Sequence, residues 1–424
     1  MSKRLPLVFR LWVFLLVALV VGSWTYFVFG GAPSAVQAEP AARQVAQDPV
    51  LPEPLLVPGE GKEPGLVRRQ PSELPAPKGL DLDLDSYPKT NGSTSAMPLG
   101  VWVAARTLGI DCKWQPRAFS QSWLWFDLPE KAPQPTKGKK IQLTGPKGKK
   151  ARLQDREATA RKLRLLYHRG THQAYVNLIN GATDLIYECR LPSEDEKKML
   201  AEKGVKLDIR PIAYDAFVFL VHKDNPVEGL TLEQIRGVYA PAEGSDKHGS
   251  ITNWKAVGGP DAAINAYIRN RNSGSQETME SLVLDGKATI QGARGMTGVT
   301  MMGPYNRLHD DPNGLGYTFF YYQKYMAPLR SGRLGRLKPD DKKQQAIEPL
   351  VKMLAVDGVA PSRETIADGS YPLVTKVYAV TRQGIADDTP AAKLRDWLGS
   401  AEGQAVVGET GYVPLTARRE DRGE

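Results

Sequence analysis

The feature that most restricts the fold of this chain is a regular alternation of short apolar runs with helix-like segments, which begins near Tyr87. The run Ala216–Val221 is continuously apolar, which is typical of a strand buried on both faces. Strands that alternate with helices predict an α/β protein with largely parallel sheets. Roughly 330 residues carry this pattern, which is more than one hydrophobic core holds. We therefore expect two α/β lobes joined by crossing strands.

Helical spacing and capping residues assign the individual elements. Met97–Leu108 is predicted as a helix because its apolar residues recur at helical intervals after the Ser and Thr residues of Ser93–Ser95, which are good N-caps. Further helices are predicted at Gln173–Asn180, Glu194–Lys203, Thr231–Tyr239, Gln276–Leu284, Gln345–Val356 and Ala391–Val407, and further strands at Asp184–Tyr187, Gly316–Tyr322 and Val374–Thr381.

The N-terminus carries a long apolar run. Lys3 and Arg4 precede the uncharged segment Leu11–Phe29, which is long enough to cross a bilayer as a helix. Positive charge ahead of the run favours a cytoplasmic N-terminus. Residues 1–31 are therefore predicted to be a signal-anchor helix, and the alternative is a long signal peptide cleaved after Val36–Ala38. Either way the body is expected in the periplasm, anchored in the inner membrane or released after cleavage.

A segment rich in Pro, Ala, Glu and Gly, residues 32–86, follows this run. Stretches such as Leu51–Pro54 and Glu73–Pro77 cannot hold a helix or a central strand. The segment is therefore predicted to be a disordered, partly extended tether that lets the folded body reach away from a membrane.

An insertion at about 111–165 interrupts the alternation of strands and helices. An aromatic patch, Trp123–Phe126, is followed by two basic blocks, Lys137–Lys140 and Lys147–Lys150, which suggest a hairpin or loop with cationic ends. The favoured interpretation is a solvated surface excursion, and the alternative is a docking patch for an acidic partner, lipid headgroups or nucleic acid. The chain has no recognised nucleic-acid-binding motif, so no nucleic-acid partner is expected.

Charge and motif content limit the function classes. Fifty-six basic residues against 47 acidic ones give a net charge of +9, which attracts anions without choosing among them. No Gly-x-Ser-x-Gly elbow, Walker A loop or His-Glu-x-x-His motif is present, so we expect neither an enzyme nor a cofactor. His168 and His172 are spaced like zinc ligands, but Gly170 lies between them and surface histidines are the better interpretation. Cys112 and Cys189 are too few for a disulfide scaffold, although one bridge between them is open.

Three segments place hydroxyl or glycine residues where a helix is predicted to begin. They are Asn91–Ser95, Gly170–His172 and Arg269–Gln276. Helix starts leave backbone N–H groups unpaired and carry partial positive charge, so they bind anions readily. Arg269 adds a planar, permanently charged fork that matches two oxyanion oxygens. Each segment alone is an ordinary N-cap, but the three together indicate an oxyanion site.

With the insertion left out, Tyr87–Leu415 resembles the phosphate-binding (PstS-like) members of the type II periplasmic binding proteins, which supply ABC transporters. The stretches that carry the resemblance are, in order, Asn91–Leu99, Asp215–His222, Asn225–Val227, Leu230–Gly237, Ile251–Lys255 with Gly258 and Gly259, Arg269–Gln276, Gly316–Tyr317 and Tyr371–Leu373.

The resemblance implies a cleft whose two lobes close around dehydrated phosphate. Carried over by position, the binding residues are Ser93, Thr94, Ser95 and Thr171 in the first lobe and Arg269, Ser273, Gly274 and Ser275 in the second. Some relatives place an aspartate near Glu188–Pro192 to accept the phosphate proton, and this chain offers Glu188 or Arg190 there. A carboxylate acceptor favours protonated phosphate over sulfate, whereas an arginine facing the ligand removes that discrimination.

The resemblance also sets the expected organisation and function. The first lobe is expected at 87–213 with a return at 373–418, the second at 214–372, and a tail at 419–424. The expected function is a monomeric, extracytoplasmic solute-binding protein that delivers inorganic phosphate to an ABC permease in the inner membrane. The alternative is a phosphate or oxyanion sensor, or an interaction protein, that keeps the fold without transport.

Overall fold

The structure is a computed structural model that describes residues 51–57, 66–116, 122–127, 141–144, 150–153, 170–245, 247–290, 301–327 and 350–417. The predicted signal-anchor helix at 1–31 and the tail at 419–424 lie outside these ranges. Among the residues that the structure describes, no helix has both the length and the apolar character that crossing a membrane requires.

The elements are numbered in chain order. The strands are β1 (Leu56–Val57), β2 (Leu66–Val67), β3 (Thr90–Gly92), β4 (Cys112–Pro116), β5 (Ser122–Phe126), β6 (Ile141–Thr144), β7 (Lys150–Leu153), β8 (Leu185–Glu188), β9 (Leu207–His222), β10 (Gly229–Leu230), β11 (Asn265–Ala266), β12 (Gly314–Phe319), β13 (Val351–Met353), β14 (Ala355–Val356) and β15 (Val374–Arg382). The α-helices are α1 (Met97–Leu108), α2 (Thr171–Ile179), α3 (Glu194–Lys203), α4 (Leu232–Tyr239), α5 (Gly274–Thr278), α6 (Met302–Leu308), α7 (Arg363–Ala367), α8 (Pro390–Leu398) and α9 (Ala401–Glu409).

The 16-residue strand β9 organises the main sheet. Its first part, Leu207–Ala216, pairs with β15, and its second part, Phe217–His222, pairs with β12 and β13. We call the elements on the first part lobe 1 and those on the second part lobe 2. Lobe 1 adds β8 and β3 beyond β15, and lobe 2 adds β11 beyond β12. The single strand β9 therefore pairs with the elements of both lobes.

The prediction of largely parallel sheets is wrong for the centre of this sheet. The pairs β3–β8 and β11–β12 are parallel, but β8–β15, β15–β9, β9–β12 and β9–β13 are all antiparallel. The apolar run Ala216–Val221 is buried as predicted, with every residue at most 1% exposed. A strand that is buried on both faces gives a continuous apolar run in parallel and in antiparallel sheets, so the sequence could not distinguish the two sheet types.

The predicted helices Gln345–Val356 and Ala391–Val407 differ from the structure. The described part of the predicted helix Gln345–Val356 forms β13 and β14 instead, because it pairs with the edge of β9 and with β10. The predicted helix Ala391–Val407 is two helices, α8 and α9. They separate at Gly399 and Ser400, where the Ser400 hydroxyl accepts from Gly403 N (3.2 Å) and starts the second helix.

The tether prediction is wrong for residues 51–57 and 66–86. Leu56 is fully buried, and Leu55 N donates to the Glu409 carbonyl (2.7 Å). Farther along, the Trp397 indole donates to the Lys78 carbonyl (2.7 Å). Prolines exclude helices and central strands, but they do not prevent an extended segment from packing through the leucines between them.

The described part of the insertion forms two hairpins. In the first, β4–β5, the side chains of Cys112, Leu124 and Phe126 are buried in the main core. In the second, β6 pairs with β7, and the first basic block and most of the second lie outside the described residues. Both cysteines are free thiols, so Cys112 and Cys189 form no bridge.

Candidate anion-binding site

The first segment of the site follows β3. A Cβ on Gly92 would lie 2.3 Å from the Tyr187 carbonyl oxygen, so the close approach of β3 to β8 requires glycine there. The next residues turn into α1 with Ser93 and Ser95 buried and Thr94 half-buried between them. Ser93 Oγ accepts from Ala96 N (3.3 Å) and lies 3.4 Å from Ser95 Oγ. Both hydroxyls are thereby held at the start of a 12-residue helix.

Cys189 joins this loop to the end of β8. Its buried Sγ lies 3.0 Å from Ser95 Oγ and 3.6 Å from Ser93 Oγ. Burial raises the pKa of the Cys189 thiol, and the charge of Asp215 raises it further. The thiol is therefore neutral and bonds to the loop as a small polar core residue.

Thr171 is the first residue of α2 and is buried where the two lobes meet. A Cβ on Gly274 of lobe 2 would lie 3.0 Å from Thr171 Oγ1, so this glycine allows the close contact between the lobes. The prediction placed both residues in one site, and the structure brings them together.

Glu188 ends β8 and is fully buried. Neither carboxylate oxygen has a partner in good hydrogen-bond geometry among the described residues, although the Thr171 hydroxyl is close enough to affect its charge. Burial raises the pKa of Glu188 to about 8, although the Arg190 charge and the Thr171 hydroxyl lower it. The nearby Glu196 charge also raises it. At neutral pH this carboxyl is therefore mostly protonated, and it can donate a hydrogen bond.

Arg190 is buried in lobe 1 and faces a carboxylate. Its Nη1 and Nη2 donate to the two oxygens of Glu196 at 2.7 and 2.8 Å. Burial lowers the pKa of Arg190, but the hydrogen bonds and charge of Glu196 raise it by more. Nη2 also lies 3.4 Å from the Asn272 carbonyl of lobe 2. The charge of Arg190 is therefore balanced inside the protein.

Arg269 is also buried, at 5% exposure, and has a different environment. Its Nη1 donates to Ser275 Oγ (3.3 Å), and its Nε has no hydrogen-bond partner among the described residues. The ion pairs within the described ranges include no carboxylate bound to Arg269. Burial lowers the pKa of the guanidinium, and only the tyrosines at 317 and 322 oppose that shift. Arg269 is thus a buried cation without a described counter-ion.

The loop around Arg269 is fixed by neutral hydrogen bonds. The Gln276 side-chain oxygen accepts from Arg269 N (3.0 Å) and from the Tyr317 hydroxyl (2.5 Å). Ser273 Oγ accepts from Gln276 N (3.2 Å), so Ser273 caps the short helix α5. These bonds hold the arginine without neutralising it.

The structure places the predicted residues on three adjacent groups of segments. The Ser93–Ser95 loop contacts the end of β8 through Cys189. Thr171 lies beside Glu188 and Gly274. Arg269 contacts Ser275. Sequence reasoning missed Glu196 and Cys189. Glu196 lies three residues after Ser193, a capping-box spacing that was visible in the sequence. His172 Nδ1 lies 3.0 Å from Glu196 Oε1, whereas His168 falls outside the described residues.

The mixed sheet built around β9, with α-helices between its strands, is an α/β fold. The chain belongs to the family described as the PBP superfamily domain, whose family model matches residues 156–401. This match confirms the predicted family at the level of the PBP superfamily. It includes Thr171, Glu188 and Arg269, and it begins after the Ser93–Ser95 loop.

Two curated relatives and one solved structure are similar to this chain. The chain is 26% identical over 242 residues to the phosphate-binding protein PstS of Borreliella burgdorferi, covering 56% of this chain and 76% of the relative. It is 26% identical over 248 residues to PstS of Staphylococcus epidermidis, covering 58% of this chain and 67% of the relative. A crystal structure of an ABC-type phosphate transport receptor from Vibrio cholerae is similar at 21% identity and a TM-score of 0.41, covering 58% of this chain and 86% of that one.

Proposed function

We propose that this protein is an extracytoplasmic solute-binding protein that captures inorganic phosphate between its two lobes and delivers it to an ABC transporter permease. The observation that carries the proposal is Arg269, a buried guanidinium with no described counter-ion. Burying a charge without a partner costs several kcal/mol. An oxyanion that forms a bidentate pair with this fork offsets that cost and satisfies the orphaned Nε. The relatives named phosphate-binding proteins support phosphate as this anion.

The proposed ligand shell combines one cation with neutral donors. The hydroxyls of Ser93, Thr94, Ser95 and Thr171 approach from lobe 1, and those of Ser273 and Ser275 approach from lobe 2 with the Gly274 backbone N–H. Neutral donors replace the water around a dehydrated anion without fixing its charge. In this assignment Arg190 does not neutralise the anion, because Glu196 already uses its charge. Arg190 instead positions the lobe 2 loop through the Asn272 carbonyl.

Glu188 is proposed to determine which oxyanion is held. Below a pH of about 8 its carboxyl carries a proton and donates to any oxyanion. Once ionised, it accepts a hydrogen bond only from an anion that still has a proton, such as hydrogen phosphate. Fully ionised sulfate cannot donate, and it is repelled by a carboxylate in a dry site. The preference for phosphate over sulfate should therefore increase as the pH rises through about 8.

The rest of the proposal follows the family and the N-terminal sequence. We place the body in the periplasm, tethered to the inner membrane by residues 1–31 or released by cleavage after Val36–Ala38. The protein is proposed to act there as a monomer and to bind rather than to catalyse. Its second partner is the permease that receives the phosphate.

Isothermal titration calorimetry of the anion-stripped protein tests the function. Phosphate, sulfate, molybdate and a phosphate monoester are titrated at pH 6 and pH 9 into wild type and Glu188→Gln. We expect saturable phosphate binding at one site per chain, with a phosphate preference that grows with pH in wild type only. Binding of none of these anions would overturn the proposal. A sulfate affinity that equals that of phosphate at both pH values would overturn the role of Glu188.

A further inference from the structure

We propose that Asp195 is a latch residue that holds the two lobes closed over the anion and thereby slows its release. The inference rests on the proposed function and adds an affinity-determining residue to the site. Asp195 belongs to lobe 1, and its two carboxylate oxygens accept from two different side chains of lobe 2. Arg271 Nη2 donates to Oδ1 at 2.8 Å, and Asn272 Nδ2 donates to Oδ2 at 2.9 Å.

The position of Asp195 in α3 fixes its carboxylate at the edge of lobe 1. Asp195 is the second residue of α3, and the backbone of the turn before it is held by Ser193 N donating to Glu196 Oε2 (2.8 Å). An acidic side chain in the first turn of a helix is favourable because of the partial positive charge there. The Asn272 hydrogen bond, followed by the Arg271 charge, lowers the pKa of Asp195. Among the described residues, its carboxylate bonds only to the opposite lobe.

The partners of Asp195 lie within the loop that carries Arg269. Asn272 has a positive φ of 63°, which asparagine tolerates better than most residues. Its N–H donates to Glu277 Oε1 (3.1 Å), and its carbonyl lies 3.4 Å from Arg190 Nη2. The loop is therefore held in one shape, and Asp195 meets it only when the lobes are together. Separating the lobes breaks both Asp195 bonds, so the latch favours the closed state over the open one.

The expected effect is moderate, because the pair is at the surface. The side chains of Asp195 and Arg271 are 41% and 78% exposed, and exposed ion pairs contribute little to stability. Two donors on one carboxylate should change the release rate by about 2- to 10-fold. The effect should decrease with salt, because exposed charges are screened.

Stopped-flow measurement of phosphate release from wild type and Asp195→Asn tests the latch. Release from the variant should be about 2- to 10-fold faster, with a much smaller change in the association rate. Glu194→Gln is the matched control, since Glu194 is the neighbouring carboxylate and pairs with Lys197 of its own helix (2.6 Å). The control should release phosphate at the wild-type rate. Equal rates for Asp195→Asn and wild type would overturn the latch while leaving phosphate binding intact.

A double-mutant cycle of Asp195→Asn and Arg271→Gln tests whether the two residues affect phosphate release together or independently. If Asp195 and Arg271 act together, the double variant releases phosphate no faster than the faster single variant, whereas additive effects would contradict the pairing. Small-angle X-ray scattering of the anion-free proteins decides the matter even if wild type binds no phosphate. The latch predicts a larger radius of gyration for Asp195→Asn than for Glu194→Gln, and equal radii would overturn it.

Discussion

The two sides of the site each bury one arginine, and they differ in what balances the charge. In lobe 1, Glu196 binds Arg190 through two short hydrogen bonds, and the net effect on the arginine pKa is upward. In lobe 2, Arg269 has Ser275 as its side-chain partner, and burial lowers its pKa. The same residue type therefore has a bound carboxylate on one side and no described counter-ion on the other.

This difference shows why a buried arginine near a cleft is not by itself a ligand contact. A guanidinium that already forms a bidentate pair has its charge satisfied, and its removal mainly exposes the partner carboxylate as an uncompensated buried charge. A guanidinium without a counter-ion costs stability until an anion arrives. The two arginines should therefore respond to substitution in opposite ways, one in folding and the other in binding.

Replacing Arg190 should cause the largest loss of stability. Arg190→Met leaves the buried Glu196 without the guanidinium that binds both of its oxygens, so we expect the free energy of unfolding to fall by about 3–5 kcal/mol. Urea denaturation followed by circular dichroism measures the change. In the double variant Arg190→Met/Glu196→Leu most of the loss should disappear, because an apolar pair replaces an ion pair at little cost. A stable Arg190→Met protein would contradict the assignment of Arg190 to the scaffold.

Replacing Arg269 should instead act on binding. Arg269→Met removes the cation of the proposed site, and loss of one partner from a buried charge pair costs about 2–5 kcal/mol, or roughly 30- to 5,000-fold in affinity. Isothermal titration calorimetry with phosphate measures this loss. Arg210→Met is the control, because Arg210 is exposed and bonds to Asp208 of the same strand (2.6 Å). An Arg269→Met affinity equal to that of the control would contradict the proposed site.

A further expected effect concerns Glu188 and the pH dependence of stability. Its folded-state pKa of about 8 exceeds the value of about 4.3 for an unfolded glutamate, so the folded protein binds more protons between these values. Stability should therefore fall as the pH rises from about 4 to about 8. Asp215, whose pKa is raised to about 7 by burial, contributes a slope of the same sign.

Glu188→Gln should remove the contribution of Glu188 to this loss of stability with rising pH. Urea denaturation at pH 5 and pH 8 should show a smaller loss of stability in the variant than in wild type. Asp215→Asn provides a parallel comparison, because it should remove the contribution of Asp215 to the pH dependence of stability. An unchanged slope in Glu188→Gln would mean that the carboxyl does not keep its proton in the folded protein.

The sequence predicted the central elements but not their partners. The helices at 97–108 and 194–203 have the predicted bounds, because apolar spacing and capping are local signals. The first half of β9, Leu207–Asp215, was missed because charged residues and Pro211 interrupt its pattern. Its pairing with β15 depends on residues more than 150 positions away, and no local pattern reports such pairing.

The site shows the same limit. Arg269 and the serines beside it were predicted from a local motif, and the structure brings them together. The partner of Arg190 was not predicted, although the Ser193–Glu196 spacing marked Glu196 as a capping residue. Whether an arginine has a counter-ion depends on tertiary contacts. The sequence therefore left Glu188 and Arg190 as alternatives for the residue that faces the phosphate proton.

Thermal unfolding of wild type and Arg269→Met, each with and without phosphate, tests the central claim most directly. Since a ligand stabilises the state that it binds, phosphate should raise the melting temperature of wild type and leave that of the variant unchanged. Without phosphate the variant should melt at the same or a higher temperature, because an unpaired buried charge is gone. A phosphate-dependent rise of equal size in both proteins would contradict the claim that Arg269 awaits the anion.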